Sequence, residues 1–166
     1  VSLDTMLRGT CDKRRLMDIF ENFLLFDDSY GDVVKLMAKN HQYIGVNKVI
    51  ANVKNIDDLN GKLGVFWHTQ GSGKSYSMVF LCEKINRKLG GSYTFLIVVD
   101  RSELESQIYD TFSGVGVVGN KQVIAGKKSG ITGREHLREL LAENNKSISS
   151  VPLDCKSSLC SKWNTI

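Results

Sequence analysis

Proline is nearly absent from this sequence: one residue in 166, Pro152, set in a serine-rich C-terminal stretch. No uninterrupted apolar run reaches the ~20 residues a membrane helix needs. The start, Val1-Ser2-Leu3-Asp4, has no basic segment followed by an apolar one, so no secretory leader is expected. Valine in place of methionine suggests a fragment or a processed start. Cysteine is sparse. Cys155 and Cys160 mimic half a zinc site, but no second Cys or His pair follows them, and Cys11 and Cys82 stand far apart. Free thiols in a reducing cytoplasm are the expectation. The net charge of +4 permits a polyanion partner without demanding one. No internal repeat is visible. What remains is a chain of ordinary hydrophobic content, long enough for one domain with a core.

Within it, one stretch combines three linked signals. Leu63 to Trp67 is apolar and reads as a buried strand. Thr69-Gln70-Gly71-Ser72-Gly73-Lys74-Ser75 follows, and a helical pattern follows that. Strand, glycine-rich loop and helix are the parts of a phosphate-binding loop. Glycines let successive N–H groups converge on one anion, and a helix N-terminus adds free donors and a positive dipole end. Lys74 would reach the outer phosphates as the catalytic cation, and the Ser75 hydroxyl would sit on Mg²⁺. The general pattern has glycine where this chain has His68, so the match is Gly71 plus Gly73-Lys74-Ser75. A plain glycine turn is the competing reading. Against it, a lysine directly at a helix start opposes the dipole unless an anion is bound.

Around this centre the periodicities predict an α/β order. Asp12 can cap a helix with Leu16, Ile19, Phe20 and Phe23 on one face, after which Leu24 to Phe26 can form a short strand. Asp27 to Asp32 is a polar break. Residues 39–54 read as a helix with Tyr43, Val46, Ile50 and Val53 on one face and Gln42 near its start. The Gln42 amide has both a donor and an acceptor, which suits the edge of adenine, although on its own it reads as a surface amide. After the loop, Met78, Cys82, Ile85 and Leu89 share a helical face that Gly90-Gly91 ends. Thr94 to Val99 reads as a parallel strand covered on both faces. Asp100 and Arg101 stand at its C-terminal edge, where open α/β sheets bind ligands. Ser102 and Glu105 form a capping box for a helix with Leu104, Ile108 and Phe112. Gln122 to Ala125 suggests a short strand, and Thr132 with Glu135 caps a further helix. Ser147 to Ile166 has no clean periodicity and is expected to be a disordered tail.

Taken together these segments resemble the R subunit, the motor and nuclease subunit, of type I restriction enzymes. The resemblance covers residues 1–146 and rests on Asn40-His-Gln-Tyr43 with Val46-Asn47-Lys48, on Phe66 to Ser75, and on Val98-Val-Asp-Arg101 with Leu104 and Gln107. Arg15 to Asp18, Asn22-Phe23 and Phe26 look like the family's connector between nuclease and motor. His68 in the glycine place is what this family shows.

The resemblance implies a connector over 1–38, expected as a helical lead-in, the N-terminal part of a first RecA-like P-loop lobe over 39–146, with a parallel sheet flanked by helices, and a divergent tail over 147–166. It makes Gln42 part of an adenine-reading motif and Thr69 to Ser75 the ATP and Mg²⁺ site. It lays Arg101 and Gln107 along the DNA backbone, with Lys121, Lys127, Lys128 and Arg134 extending a basic track. It implies double-stranded DNA and the modification (M) and specificity (S) subunits as partners, in an ATP-driven translocase and nuclease. The sequence departs from the family in three ways. It holds no Asp-Glu-x-His motif, no Glu-x-Lys nuclease site, and no expected strand after Ser147, where it reads as though it came from another frame. A P-loop ATPase or helicase unconnected with restriction is the alternative.

Overall fold

Asp12 caps its helix as its position suggests. Its carboxylate accepts from the backbone N–H groups of Arg14 and Arg15, each at 3.1 Å, and the helix α2 runs over Lys13–Asn22. A shorter α1, Leu3–Thr10, precedes it. The computed structural model describes residues 3–28, 31–90, 93–99, 102–116, 123–124 and 148–152. The chain divides into two units, Val1–Gly90 and Gly91–Ile166.

In the first unit the lead-in is helical only as far as Asn22. Leu24–Asp27 forms β1, which pairs antiparallel with β2, Val34–Met37, Leu24 lying opposite Met37. Gly31, with φ +88°, lies in the connecting turn. On α2, Leu16 and Ile19 are half-buried and Phe23 is fully buried, but Phe20 is 58% exposed. The covered stripe is narrow: α1, α4 and β1 pack on this helix, and Tyr43 and Asn47 of α3 reach Arg15 and Asp18 on it, but among the described residues Phe20 is left uncovered.

Helix α3, Asn40–Lys54, and helix α4, Lys74–Lys88, pack on one another and enclose the core of this unit. Val46, Ile50, Val79, Phe80, Cys82 and Ile85 are buried there. The Phe23 ring joins them, 4.8 Å from Tyr43 and 5.6 Å from Phe80, centroid to centroid. Residues of the predicted connector and of the predicted motor segment thus share one core. Gly90, with φ +61°, stands just past the end of α4, as a C-terminal glycine should. Met78 lies off the buried face, 37% exposed. Cys82 is a free thiol whose pKa is pushed up to about 12, by burial first and then by the charge of Glu83, so it is chemically quiet.

A polar seam crosses this core. Lys84, 5% exposed, donates to both Asp18 carboxylate oxygens, at 2.5 and 2.6 Å, and to Asn47 Oδ1 at 2.7 Å. Its ammonium also lies 4.6 Å from the centre of the Phe23 ring. Asn22 donates to Asp18 as well, at 2.8 Å. Three helices, α2, α3 and α4, therefore meet on one buried charge.

The segment before the phosphate loop departs from prediction. Residues 62–69 are in no strand, and Val65 and Trp67 are 90% and 89% exposed. Side chains alternate along it, since Phe66 and His68, flanking Trp67, turn inward. A strand, however, needs a neighbour for its backbone groups, and among the described residues this segment has none. The sheet of the first unit is the antiparallel β1–β2 pair, and the expected parallel sheet carrying the phosphate loop is not what this unit contains.

In the second unit, β3 (Phe95–Val99) is followed by α5 (Ser102–Gly114), β4 (Val123–Ile124) and β5 (Ile148–Pro152). β5 lies in the middle, parallel to both neighbours, with Phe95 opposite Ile148 and Val123 opposite Ser149. The expectation of a tail without structure from Ser147, lacking the awaited strand, is corrected here for 148–152. Ser149 and Ser150 hide that strand from an apolar pattern, and pairing on both sides makes it. α5 packs on β3 and β5 and buries Ile108 and Phe112, while Leu104 is 41% exposed. Leu96 and Val98 are also exposed, so β3 is not covered on both faces as predicted. The predicted caps at Thr132 and Glu135 lie outside the described residues, as do Cys155 and Cys160. Among the described residues no helix is long and apolar enough to cross a membrane.

Candidate functional site

Three contacts lay residues 63–68 along α3 in the opposite direction. Asn52 Nδ2 donates to the Leu63 carbonyl at 2.8 Å. The Phe66 ring lies on Gly45, where an added Cβ would come within 2.0 Å of the ring. Farther on, the His68 ring lies 4.6 Å from His41 and 4.4 Å from Phe66. Gly45 therefore gives up some helix propensity to admit an aromatic ring. The result is that residues 69–73 arrive at the N-terminal turn of α3.

There the loop is gripped. His41 Nε2 donates to the Ser72 carbonyl at 3.2 Å, which requires the tautomer protonated at Nε2. Gln42 is 4% exposed, its Oε1 accepts from Lys39 N–H at 2.8 Å, and its Nε2 donates to the Gly73 carbonyl at 2.8 Å. Gln42 thus closes the first turn of its own helix and ties the phosphate loop to it. One lone pair and one N–H of the amide remain beyond those two bonds.

The loop has the backbone its glycines foretell. Gly71 and Gly73 sit at φ +75° and +81°, in the left-handed region. At Gly73 a Cβ would also meet Gln42 Nε2 at 2.8 Å, so glycine is required there on two counts. Ser72 N–H reaches the Thr69 carbonyl at 3.3 Å. Lys74 opens α4, is exposed, and donates from Nζ to the Thr69 carbonyl at 2.9 Å. Thr69 and Gln70 are exposed and Ser75 is half-buried. Ser72 Oγ is buried with no hydrogen-bond partner among the described residues. An anion on this loop fits that set: a free hydroxyl, an exposed cation and the unpaired N–H groups of a helix start. His68 has its pKa lowered, by burial first and then by His41 and Lys74, which disfavours the charged imidazolium beside the loop.

Beside the loop is a cavity of about 280 Å³. Gln42, Gly71, Ser72 and Gly73 line one part of it, and Leu36, Met37, Lys39, Tyr76 and Phe80 the rest. Of the site residues expected from sequence, the structure gathers Gln42 and 69–75 into one place. Gln107 is exposed on α5 in the second unit, and Asp100, Arg101, Lys121, Lys127, Lys128 and Arg134 lie outside the described residues. His41, Tyr76, Leu36 and Met37 were not singled out by sequence. His41 carried a local signal, its place directly before Gln42, whereas β2, with four residues, is too short for a periodicity to show. Among the described residues no cluster of three or more His, Cys, Asp or Glu could hold a metal.

The chain is 36% identical over 146 residues to the type I restriction enzyme HindI endonuclease subunit of Haemophilus influenzae, covering 86% of this chain and 13% of that protein. It is 32% identical over 120 residues to the MjaIXP endonuclease subunit assigned to a type I restriction enzyme of Methanocaldococcus jannaschii, covering 69% and 11%. The chain spans about an eighth of the length of these relatives. Residues 41–153, which take in Gln42, the phosphate loop and β3 to β5, match the SWI2/SNF2 ATPase family. That match extends over more than half of the sequence, and the chain belongs to the SWI2/SNF2 ATPase family.

Proposed function

We propose that this chain is the nucleotide-binding start of the motor segment in a type I restriction endonuclease subunit, with ATP and Mg²⁺ as its ligands. The observation that carries the reading is the loop itself: two left-handed glycines, an unpartnered Ser72 hydroxyl and an exposed Lys74 at a helix start. Thr69, Gln70 and Gly71 to Ser75 hold the phosphates, Lys74 neutralises the outer ones, and the Ser75 hydroxyl ligates the metal. Bound Mg·ATP supplies an activated phosphoryl group. The remaining lone pair and N–H of Gln42 meet the edge of adenine.

The parent is an ATP-dependent DNA translocase and nuclease, working with modification and specificity subunits. β3, β5 and β4 belong to the sheet of a RecA-like lobe, and Arg101 and Gln107 follow the backbone of double-stranded DNA. The chain alone binds nucleotide weakly and does not turn it over, because its sequence holds no Asp-Glu-x-His to fix the metal and the attacking water. Calorimetric titration with Mg·ATP tests the first step. Lys74→Ala is expected to remove the binding signal; a mutant that binds as well as the wild type would sink this reading.

A further inference from the structure

Two adjacent side chains of α3 hold two adjacent carbonyls of the loop. His41 Nε2 donates to the Ser72 carbonyl and Gln42 Nε2 to the Gly73 carbonyl. In a trans peptide the C=O of one residue and the N–H of the next point in opposite directions, and among the described residues no peptide bond is cis. Drawing these carbonyls onto α3 therefore turns the Gly73 and Lys74 N–H groups away from it. Two consecutive N–H groups facing one side make a concavity for an anion. We infer that His41 is the positioning residue for the Gly73 N–H, and that His68 acts through His41 by bracing its ring. This rests on the phosphate-loop reading above.

The loop has little stiffness of its own at this point. Ser72 lies between Gly71 and Gly73, both with positive φ, so the peptide between Ser72 and Gly73 adjoins a residue without a Cβ and rotates at little cost. Against that freedom stands one hydrogen bond of 3.2 Å, at the long end of the N–H···O range, from a side chain that is only half-buried. Such a bond persists only if its ring is kept in place.

A row of rings keeps it there. His68 lies 4.6 Å from His41, tilted by 45°, and Phe66 lies 4.4 Å from His68 with its own ring on Gly45. Gln42 has no need of such a row, being 4% exposed and tied at its other end to Lys39 N–H. Among the described residues no hydrogen bond involves His68, so what it contributes is the face of a ring. It stands where the general phosphate-loop pattern has glycine, and a glycine there would brace nothing.

Inorganic tripolyphosphate with Mg²⁺, titrated into the full chain by calorimetry, reads the phosphate site without a base. His41→Ala should lower its affinity about fivefold, as expected for losing one hydrogen bond. His68→Ala should lower it by a similar factor. His68→Gly, which restores the general pattern, should bind no better than His68→Ala. The losses should not add, so His41→Ala combined with His68→Ala should bind like His41→Ala alone. His68→Phe keeps a ring face and should return the affinity to that of the wild type. Unchanged affinity in His41→Ala or His68→Ala, with Lys74→Ala still weakening the ligand, overturns the inference and leaves the phosphate site standing. Additive losses, or a His68→Phe chain as weak as His68→Ala, overturn the brace. A wild-type chain that binds no tripolyphosphate overturns both readings.

Discussion

Lys74 and Lys84 stand on one helix and are held in opposite ways. Lys74, at the N-terminal end of α4, is exposed and donates to a single backbone carbonyl, that of Thr69. Lys84 is buried, saturated by Asp18 and Asn47, and seated over the Phe23 ring. A cation meant for a ligand has to keep a bond it can exchange. A buried cation has to satisfy every donor within the protein, because leaving its charge unpaired away from water costs several kcal/mol. Seen alone in the sequence, the two lysines look alike. Their neighbours divide one helix into an end that receives and an end that anchors.

The largest expected effect is at the anchored end. Lys84→Ala leaves the Asp18 carboxylate without its partner and should cost about 3–5 kcal/mol in chemical denaturation. A loss under ~1 kcal/mol would mean that the seam does not hold α2 to α4.

The anchor should also be visible as acid sensitivity. Burial pushes the Asp18 carboxyl up, but the hydrogen bonds from Lys84 and Asn22 and the charge of Lys84 outweigh it, leaving the carboxyl below its ordinary value of 3.8. The folded pKa is thus lower than the unfolded one. The stability this confers is fully present above the ordinary carboxylate range and fades as pH falls through the lowered value. Urea titrations at a series of acidic pH values should show a shallower acid loss in Asp18→Asn than in wild type. Parallel curves would show that the carboxylate contributes no such linkage.

The smallest effect belongs to the receiving end. Lys74→Ala removes an exposed side chain with one bond to the backbone, and the midpoint of unfolding should move by no more than about 0.5 kcal/mol. A larger loss, in the absence of nucleotide, would make Lys74 a structural residue and blur the contrast.

Much of this was legible because the signals are local. Asp12 before a helical pattern, the glycines of the loop, the helix over 40–54 with Gln42 near its start, and the apolar run that became β3 each depend on neighbours within a turn or two. The buried strand expected over 63–67 does not form because an apolar run does not record whether another strand lies beside it. β5 was missed for the converse reason. Ile148-Ser-Ser-Val-Pro152 has little apolar pattern, and β3 and β4 on either side turn it into the middle of a sheet. Phe20 and Met78 kept their predicted periodicity yet lie exposed, because the width of a buried stripe depends on what packs against it.

The sequence by itself determined that a glycine-rich loop would open a helix with a lysine at its first position, since backbone freedom at Gly71 and Gly73 is a property of those residues. It also set the family, through ordered motifs that need no coordinates. Tertiary structure alone decided that Gln42 reaches Gly73, that Tyr76 is tied to Asp27, and that Asp18 meets Lys84 across 66 positions of chain. Such pairings depend on how helices and a hairpin pack, and packing matches surfaces that sequence separation does not record.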